Sequence, residues 1–251
     1  QIHINAFDSL QNQSVSIDKI VIDNTKLDLR YGKNKIFINK KNLSVESDSV
    51  IKTNIPEIIL NNSDIRITEI SSNQKQLFKA KSLFASYREN IIKIHSNFIH
   101  QASPNPITFV YRGEFKDDKF ESKVFISGNS MKIPYSLLPN QMQNLKSNKI
   151  SLRVWLNLLD TKITRASGNI STDRLSMNIG KSIYTLENIN SDILFIKDNE
   201  SETLSLMRMN YVINNKNISN NKIVLNKDKK KNIKIFIRKN GKKFFWNSYF
   251  P

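Results

Sequence analysis

Apolar and polar residues alternate with a period of two along most of this chain, which predicts extended strands that each present one apolar face. The clear runs are Leu27, Leu29, Tyr31; Ile36, Ile38; Ile65, Ile67; Ile92, Ile94 with Phe98; Phe109, Tyr111; Val124, Ile126; Leu152, Val154, Leu156, Leu158; Leu175, Met177, Ile179; and Ile233, Ile235, Ile237. Turn-forming stretches separate them, such as Tyr31-Gly32-Lys33-Asn34, Lys116-Asp117-Asp118-Lys119 and Asn214-Asn215-Lys216-Asn217. Asn stands there in place of Gly because it tolerates left-handed backbone, and meander-like hairpins are expected. One segment departs from the alternation. Ile133-Pro134-Tyr135-Ser136-Leu137-Leu138-Pro139, continuing to Gln141, Met142 and Leu145, predicts one or two helical turns near 134–146, suited to covering an open end or edge of a sheet.

A weak internal repeat accompanies the alternation. Ile17-Asp18-Lys19-Ile20-Val21-Ile22-Asp23-Asn24-Thr25-Lys26-Leu27-Asp28-Leu29 aligns without gaps on Ile55-Pro56-Glu57-Ile58-Ile59-Leu60-Asn61-Asn62-Ser63-Asp64-Ile65-Arg66-Ile67, an offset of 38 residues. Each copy reads as a strand, an Asn-centred break and a second strand. The tetrapeptide Asn62-Ser63-Asp64-Ile65 returns as Asn190-Ser191-Asp192-Ile193. Repeated strand pairs without long helices between them favour an extended all-β architecture over a doubly wound sheet. No linker forces two domains, so residues 1–251 are read as one elongated piece of a larger protein, with a possible subdivision near 133–147.

Composition narrows the function classes. A chain of 251 residues can bury a core, and the absence of cysteine removes disulfide scaffolds, Cys-bound metals and thiol nucleophiles. No apolar stretch is long enough to cross a bilayer as a helix. The net charge of +17 suits contact with phosphates, yet Asn, Ile and Lys recur throughout, so part of that charge is compositional. The densest basic cluster is Lys227, Lys229, Lys230, Lys231, then Arg238, Lys239, Lys242 and Lys243, followed by Phe244, Phe245, Trp246, Tyr249 and Phe250. Basic residues are otherwise spread along the chain, with no aromatic pair of the kind that stacks RNA bases and no recognition helix, so nucleic acid is not the expected partner.

No catalytic constellation assembles. His3, His95 and His100 lack metal-ligand spacing, and His95 falls on the polar face of its strand, where a solvated imidazole is expected. Six glycines form no dinucleotide cradle, P-loop or nucleophile elbow. Asp117 with Asp118, and Glu200 with Glu202, lie in polar turn-like stretches where solvent accounts for them. The expectation is a protein that is not an enzyme, with neither metal nor cofactor.

Amphipathic strands with scarcely any helix must bury their apolar face by closure, by a second sheet or by a ligand. A closed sandwich and an open groove for acyl chains remain alternatives on the pattern alone. A groove selects apolar tails at about 0.8 kcal/mol per buried CH₂ and needs few directional contacts, so it leaves no catalytic motif.

From about Ile17 to Tyr211 the order of elements resembles the YhdP branch of the AsmA-like proteins, large Gram-negative envelope proteins related to TamB. The residues that carry the likeness in the first half are Ile55-Pro56-Glu57-Ile58-Ile59-Leu60, Ser63-Asp64-Ile65-Arg66-Ile67, the strand ending in His95, the turn at Pro104 and Pro106, Arg112-Gly113, Phe120 to Phe125, and Pro134 to Pro139. The second half adds Ser151-Leu152-Arg153-Val154-Trp155-Leu156, Ile163-Thr164, Gly168-Asn169-Ile170 and Leu186-Glu187-Asn188-Ile189-Asn190-Ser191-Asp192-Ile193, with Ser191 where a glycine is common. The resemblance implies an elongated, curved antiparallel sheet forming an open, repeating β-groove in the periplasm. It also implies an inner-membrane anchor outside this chain and phospholipid carried between the two membranes, with other envelope proteins as further partners. The alternative is a non-transporting envelope scaffold whose apolar face is packed against protein. Alternation nominates as groove lining Leu27, Leu29, Ile65, Ile67, Ile92, Ile94, Phe109, Tyr111, Val124, Ile126, Leu152, Val154, Leu156, Leu175 and Met177, and places Trp155 on the opposite face as outer or edge packing.

Overall fold

In this computed structural model the described residues are 1–4, 17–32, 35–38, 41–42, 55–71, 73, 75–101, 103–116, 119–131, 146–147, 149–160, 162–179, 182–198, 200–213, 215–228, 233–239 and 242–248. All regular structure among them is β, as the alternation predicts, and no helix occurs there. The chain forms two compact units, Gln1–Asp118 and Lys119–Pro251.

The first unit contains β1 (Ile2–Ile4), β2 (Ile17–Asp23), β3 (Lys26–Gly32), β4 (Lys35–Ile38), β5 (Lys41–Asn42), β6 (Ile55–Glu69), β7 (Lys75–Arg88), β8 (Ile91–His100) and β9 (Ser103–Lys116). Strands β6 to β9 form an antiparallel meander. On the other side of β6, both β2 and β3 pair with it in parallel, Lys19 opposite Glu57 and Leu27 opposite Ile65. That register is the 38-residue offset of the internal repeat, so residues 19–23 and 26–29 of the first copy lie beside their own counterparts in the second. Asn61 Nδ2 donates to Asp23 Oδ1 at 2.9 Å across this seam, joining one such pair of counterparts.

The second unit contains β10 (Lys119–Met131), β11 (Lys146–Ser147), β12 (Ile150–Leu159), β13 (Lys162–Ile179), β14 (Ser182–Lys197), β15 (Ser201–Ile213), β16 (Lys216–Asp228), β17 (Ile233–Lys239) and β18 (Lys242–Ser248). Its strands pair antiparallel in the order β10, β12, β13, β14, β15, β16, β17, β18, with β11 beside β13. Among the described residues β10 and β18 are not paired to each other, so this unit's sheet is open rather than a closed barrel. The helical turns expected near 134–146 fall mostly on residues 132–145, outside the described residues, and Lys146 at the end of that segment is strand.

The Asn-centred breaks turn out to be bulges rather than chain reversals. Asn24 and Asn62 both take left-handed backbone, at φ 52° and 47°, and β6 runs unbroken through the second of them. Leu60 and Ser63 lie opposite Leu83 and Ala80, which in turn lie opposite Ser96 and Phe98, two residues apart on β8. The apolar set therefore advances three residues across the bulge and stays on one face, because one inserted residue restores the period-two phase. Ser130, Asn188, Arg208 and Asn220 repeat the left-handed conformation within β10, β14, β15 and β16. The recurring tetrapeptide supplies a buried serine beside a bulge in each unit. Ser63 Oγ donates to Asn61 O at 2.9 Å, and Ser191 Oγ to Met207 O at 3.2 Å, so each hydroxyl is satisfied by a backbone carbonyl next to its bulge.

Candidate functional site

In an antiparallel pair, residues directly opposite each other project to the same face, so the register assigns every strand position to a side. On one face of the second unit, Val124 lies opposite Leu156, then follow Ala166, Phe195, Leu204, Leu225, Ile235 and Trp246, one residue from each of eight strands. The next row reads Ile126, Val154, Gly168, Ile193, Leu206, Ile223, Ile237 and Phe244. Two adjacent ladders thus cross the whole strand order without a charged residue, and Trp246 at the end of the first is the one residue in them with a polar side-chain group. They continue onto Leu152 and Ile170 in the row beyond, next to Ser191. On the other side they end at Lys197, Glu202 and Lys227. There the Glu202 carboxylate lies 2.5 Å from Lys197 Nζ and 3.7 Å from Lys227 Nζ, and the hydrogen bond from Lys197 draws its pKa below the usual carboxylate value.

The nominated residues of the second unit, Val124, Ile126, Leu152, Val154 and Leu156, all lie on this face. Leu175 and Met177 are placed by register opposite Leu186 and Tyr184, and their side chains lie outside the described residues. Trp155 falls on the opposite face, as alternation predicts. It is 48% exposed, and its ring lies 5.0 Å from that of Phe125, its cross-strand partner. The same separation holds in the first unit, where Ile94 lies opposite Tyr111, Ser96 opposite Phe109 and Ile92 opposite Gly113. Leu27 with Ile65 and Leu29 with Ile67 join that face, in rows that extend to Phe78 and Gln76.

Burial distinguishes these faces from a two-layer core. Leu152, Val154, Leu156, Ile193, Leu204, Leu206, Ile223 and Leu225 are half-buried, as are Leu27, Leu29, Ile92, Ile94, Phe109 and Tyr111; Val124 and Ile65 are buried. Among the described residues the largest fully buried side chains are serines, Ser63 and Ser103. Neighbours within a sheet can half-cover a leucine, whereas a second layer covers it completely.

Two polar residues on these faces were not among those the alternation nominates, because a polar letter at an apolar position reads as a break in the run. His100 is 6% exposed beside Phe78, with ring centroids 4.9 Å apart, and its Nε2 lies 2.8 Å from Gln76 Oε1. Burial lowers its pKa from the ordinary 6.5. The unfolded chain therefore takes up a proton at a higher pH than the folded one, and the stability this neutral imidazole contributes is complete above 6.5 and lost as pH falls through the lower folded value. The urea midpoint is expected to drop on acidification below that point, and His100→Phe to flatten the drop; an unchanged slope in the variant would remove His100 as its source. His95, by contrast, is exposed, as its place on the polar face predicts. Asn221 is the second such residue.

Among the described residues no group of three or more His, Asp or Glu side chains is placed to hold a metal ion. Comparison with protein-family models, with curated proteins and with solved structures gives no match.

Proposed function

We propose that this chain is a segment of a periplasmic β-groove that shields phospholipid acyl chains on their way between inner and outer membranes, without catalysing a reaction. In the full-length protein it would be held at the inner membrane by an anchor outside this chain. The observation that carries the reading is the pair of apolar ladders that register runs across eight strands of the second unit, on a face that is largely half-exposed from β10 to β16. A face of that kind is costly to leave against water and offers an acyl chain about 0.8 kcal/mol per CH₂ buried, with no need for directional contacts. The pattern resemblance to the YhdP branch supports the same reading.

A photoreactive side chain placed singly at Ile94 or Leu156 in protein made in a Gram-negative host should capture phospholipid, detected as a mass adduct after purification. The same probe at Arg153 or Trp155, on the opposite face, should capture none. A lipid-free protein with no adduct from either face would sink the proposal and favour an envelope scaffold whose apolar face is covered by another protein.

A further inference from the structure

Among the described residues on the apolar face of the second unit, one side chain carries a buried hydrogen-bond donor without a partner. Asn221 follows the bulge residue Asn220 in β16, lies opposite Met209, and precedes Ile223 by two residues, which puts it on the face of the two apolar ladders. It is 4% exposed, and its Nδ2 is buried without a hydrogen-bond partner. The polar groups around it are already committed. Asn220 N donates to Asn210 Oδ1 at 2.9 Å, and Ser191 on β14 is bonded to the carbonyls of Asp192 and Met207. A leucine would satisfy this position if packing were its only purpose, since a buried amide N–H needs an acceptor.

We propose that Asn221 is a donor subsite that engages the ester carbonyl oxygen of an acyl lipid lying on this face. The inference rests on the acyl-binding reading above and adds to it a point of registration. An ester carbonyl is the acceptor such a ligand brings into an apolar site, for it sits at the junction of chain and headgroup and carries no proton of its own. The phosphate is a poorer match. The nearest cations on the same face of β16 are Lys216, five residues from Asn221 toward one end of the strand and across the bulge, and Lys227, six residues toward the other, roughly 15 and 20 Å away at the rise of an extended chain. A phosphate beside either lysine is too far along the strand to share a headgroup with a carbonyl at Asn221.

Two probes differing only in this oxygen test the assignment: 1-palmitoyl lysophosphatidylcholine and its 1-O-hexadecyl ether analogue, titrated into the purified chain below their micellar concentrations. The wild-type chain should bind the ester about fivefold to tenfold more tightly, the scale of one hydrogen bond to a buried donor. Asn221→Leu should bind both probes equally, at an affinity no weaker than the wild type has for the ether. Asn221→Asp, which offers no amide donor, should lose the preference as well, guarding against a packing effect peculiar to leucine. Equal binding of the two probes by the wild type, or a preference that survives both substitutions, overturns the subsite and leaves the acyl-binding face standing. Binding of neither probe overturns the acyl-binding face and the subsite with it.

Discussion

Replacing Leu152 and Leu156 together by Glu is expected to cut the phospholipid that copurifies with the protein by at least about tenfold while leaving the sheet folded. The two residues flank Val154 on β12, and their cross-strand partners Gly128, Ile170, Val124 and Ala166 lie in the apolar rows. A bound acyl chain at these rows would have to desolvate two carboxylates, which costs several kcal/mol each, more than the chain gains from the few CH₂ groups covering the site. The folded protein without lipid has no such difficulty. Leu152 and Leu156 are half-exposed, so a Glu at either position can carry its charge to water, at a stability cost of about 1–2 kcal/mol for lost cross-strand packing. Arg153→Glu with Trp155→Glu, the same charge placed on the other face of the strand, should retain lipid. The scaffold alternative gives the opposite pairing of results. If a protein surface permanently covers the face, the Leu variant should unfold or lose a protein partner, with lipid content unchanged because there was none. Lipid extraction and a thermal melt on the two double variants separate these outcomes.

The separation of faces that this experiment exploits is legible in the sequence because strand alternation is a local property. Arg153 and Trp155 stand between Leu152, Val154 and Leu156 in the linear order, and the pleat alone sends them to the other side. The 38-residue repeat holds more than alternation does. Its offset is the register of the parallel seam between β2–β3 and β6, so the sequence had recorded a tertiary pairing, though nothing in one chain distinguishes a repeat that pairs with itself from one that lies elsewhere. Long strands were harder to see. β13 runs from Lys162 to Ile179 and β14 from Ser182 to Lys197, yet each reads as two short runs, since a bulge shifts the apolar phase by one residue and imitates a turn. Asn at such a position reads as a turn residue for the same reason that it suits a bulge, its tolerance of left-handed backbone. Arg208 has no such signature, and its left-handed conformation at φ 49° is evident only once Leu206 and Met209 are seen to face Ile223 and Asn221. Asn221 has no signature in the linear order, because its significance lies in what surrounds it: a buried amide among apolar rows is a tertiary fact.

Gly168→Ala is expected to be the most damaging single small substitution in the second unit, because this glycine lies in the middle of the second apolar ladder, between Val154 and Ile193. Its φ of 157° is a conformation that side chains rarely adopt. A Cβ there would be driven into the carbonyl oxygen of Arg153 and would come within 2.8 Å of Val154 Cα and 2.9 Å of the Arg153 carbonyl carbon. All three are backbone atoms of β12, so no rotamer change relieves the clash; the β12–β13 pairing has to part. Backbone strain and lost pairing together put the cost at about 3 kcal/mol or more, a fall in Tm of roughly 6–12 °C for a chain of this size. Gly128→Ala provides the contrast. Its Cβ would meet only the side chain of Met131, with Cγ at 3.0 Å, and a thioether chain can swing aside at a cost of about 1 kcal/mol. If Gly168→Ala melts within a degree or two of the wild type, β12 and β13 do not approach as closely as this register requires, and the continuity of the second ladder through Gly168 fails with it. If it melts far below while Gly128→Ala does not, the close backbone approach at Gly168 is what lets an apolar row with no side chain at its centre remain unbroken across the sheet, leaving a shallow trough in the face where an acyl chain would lie.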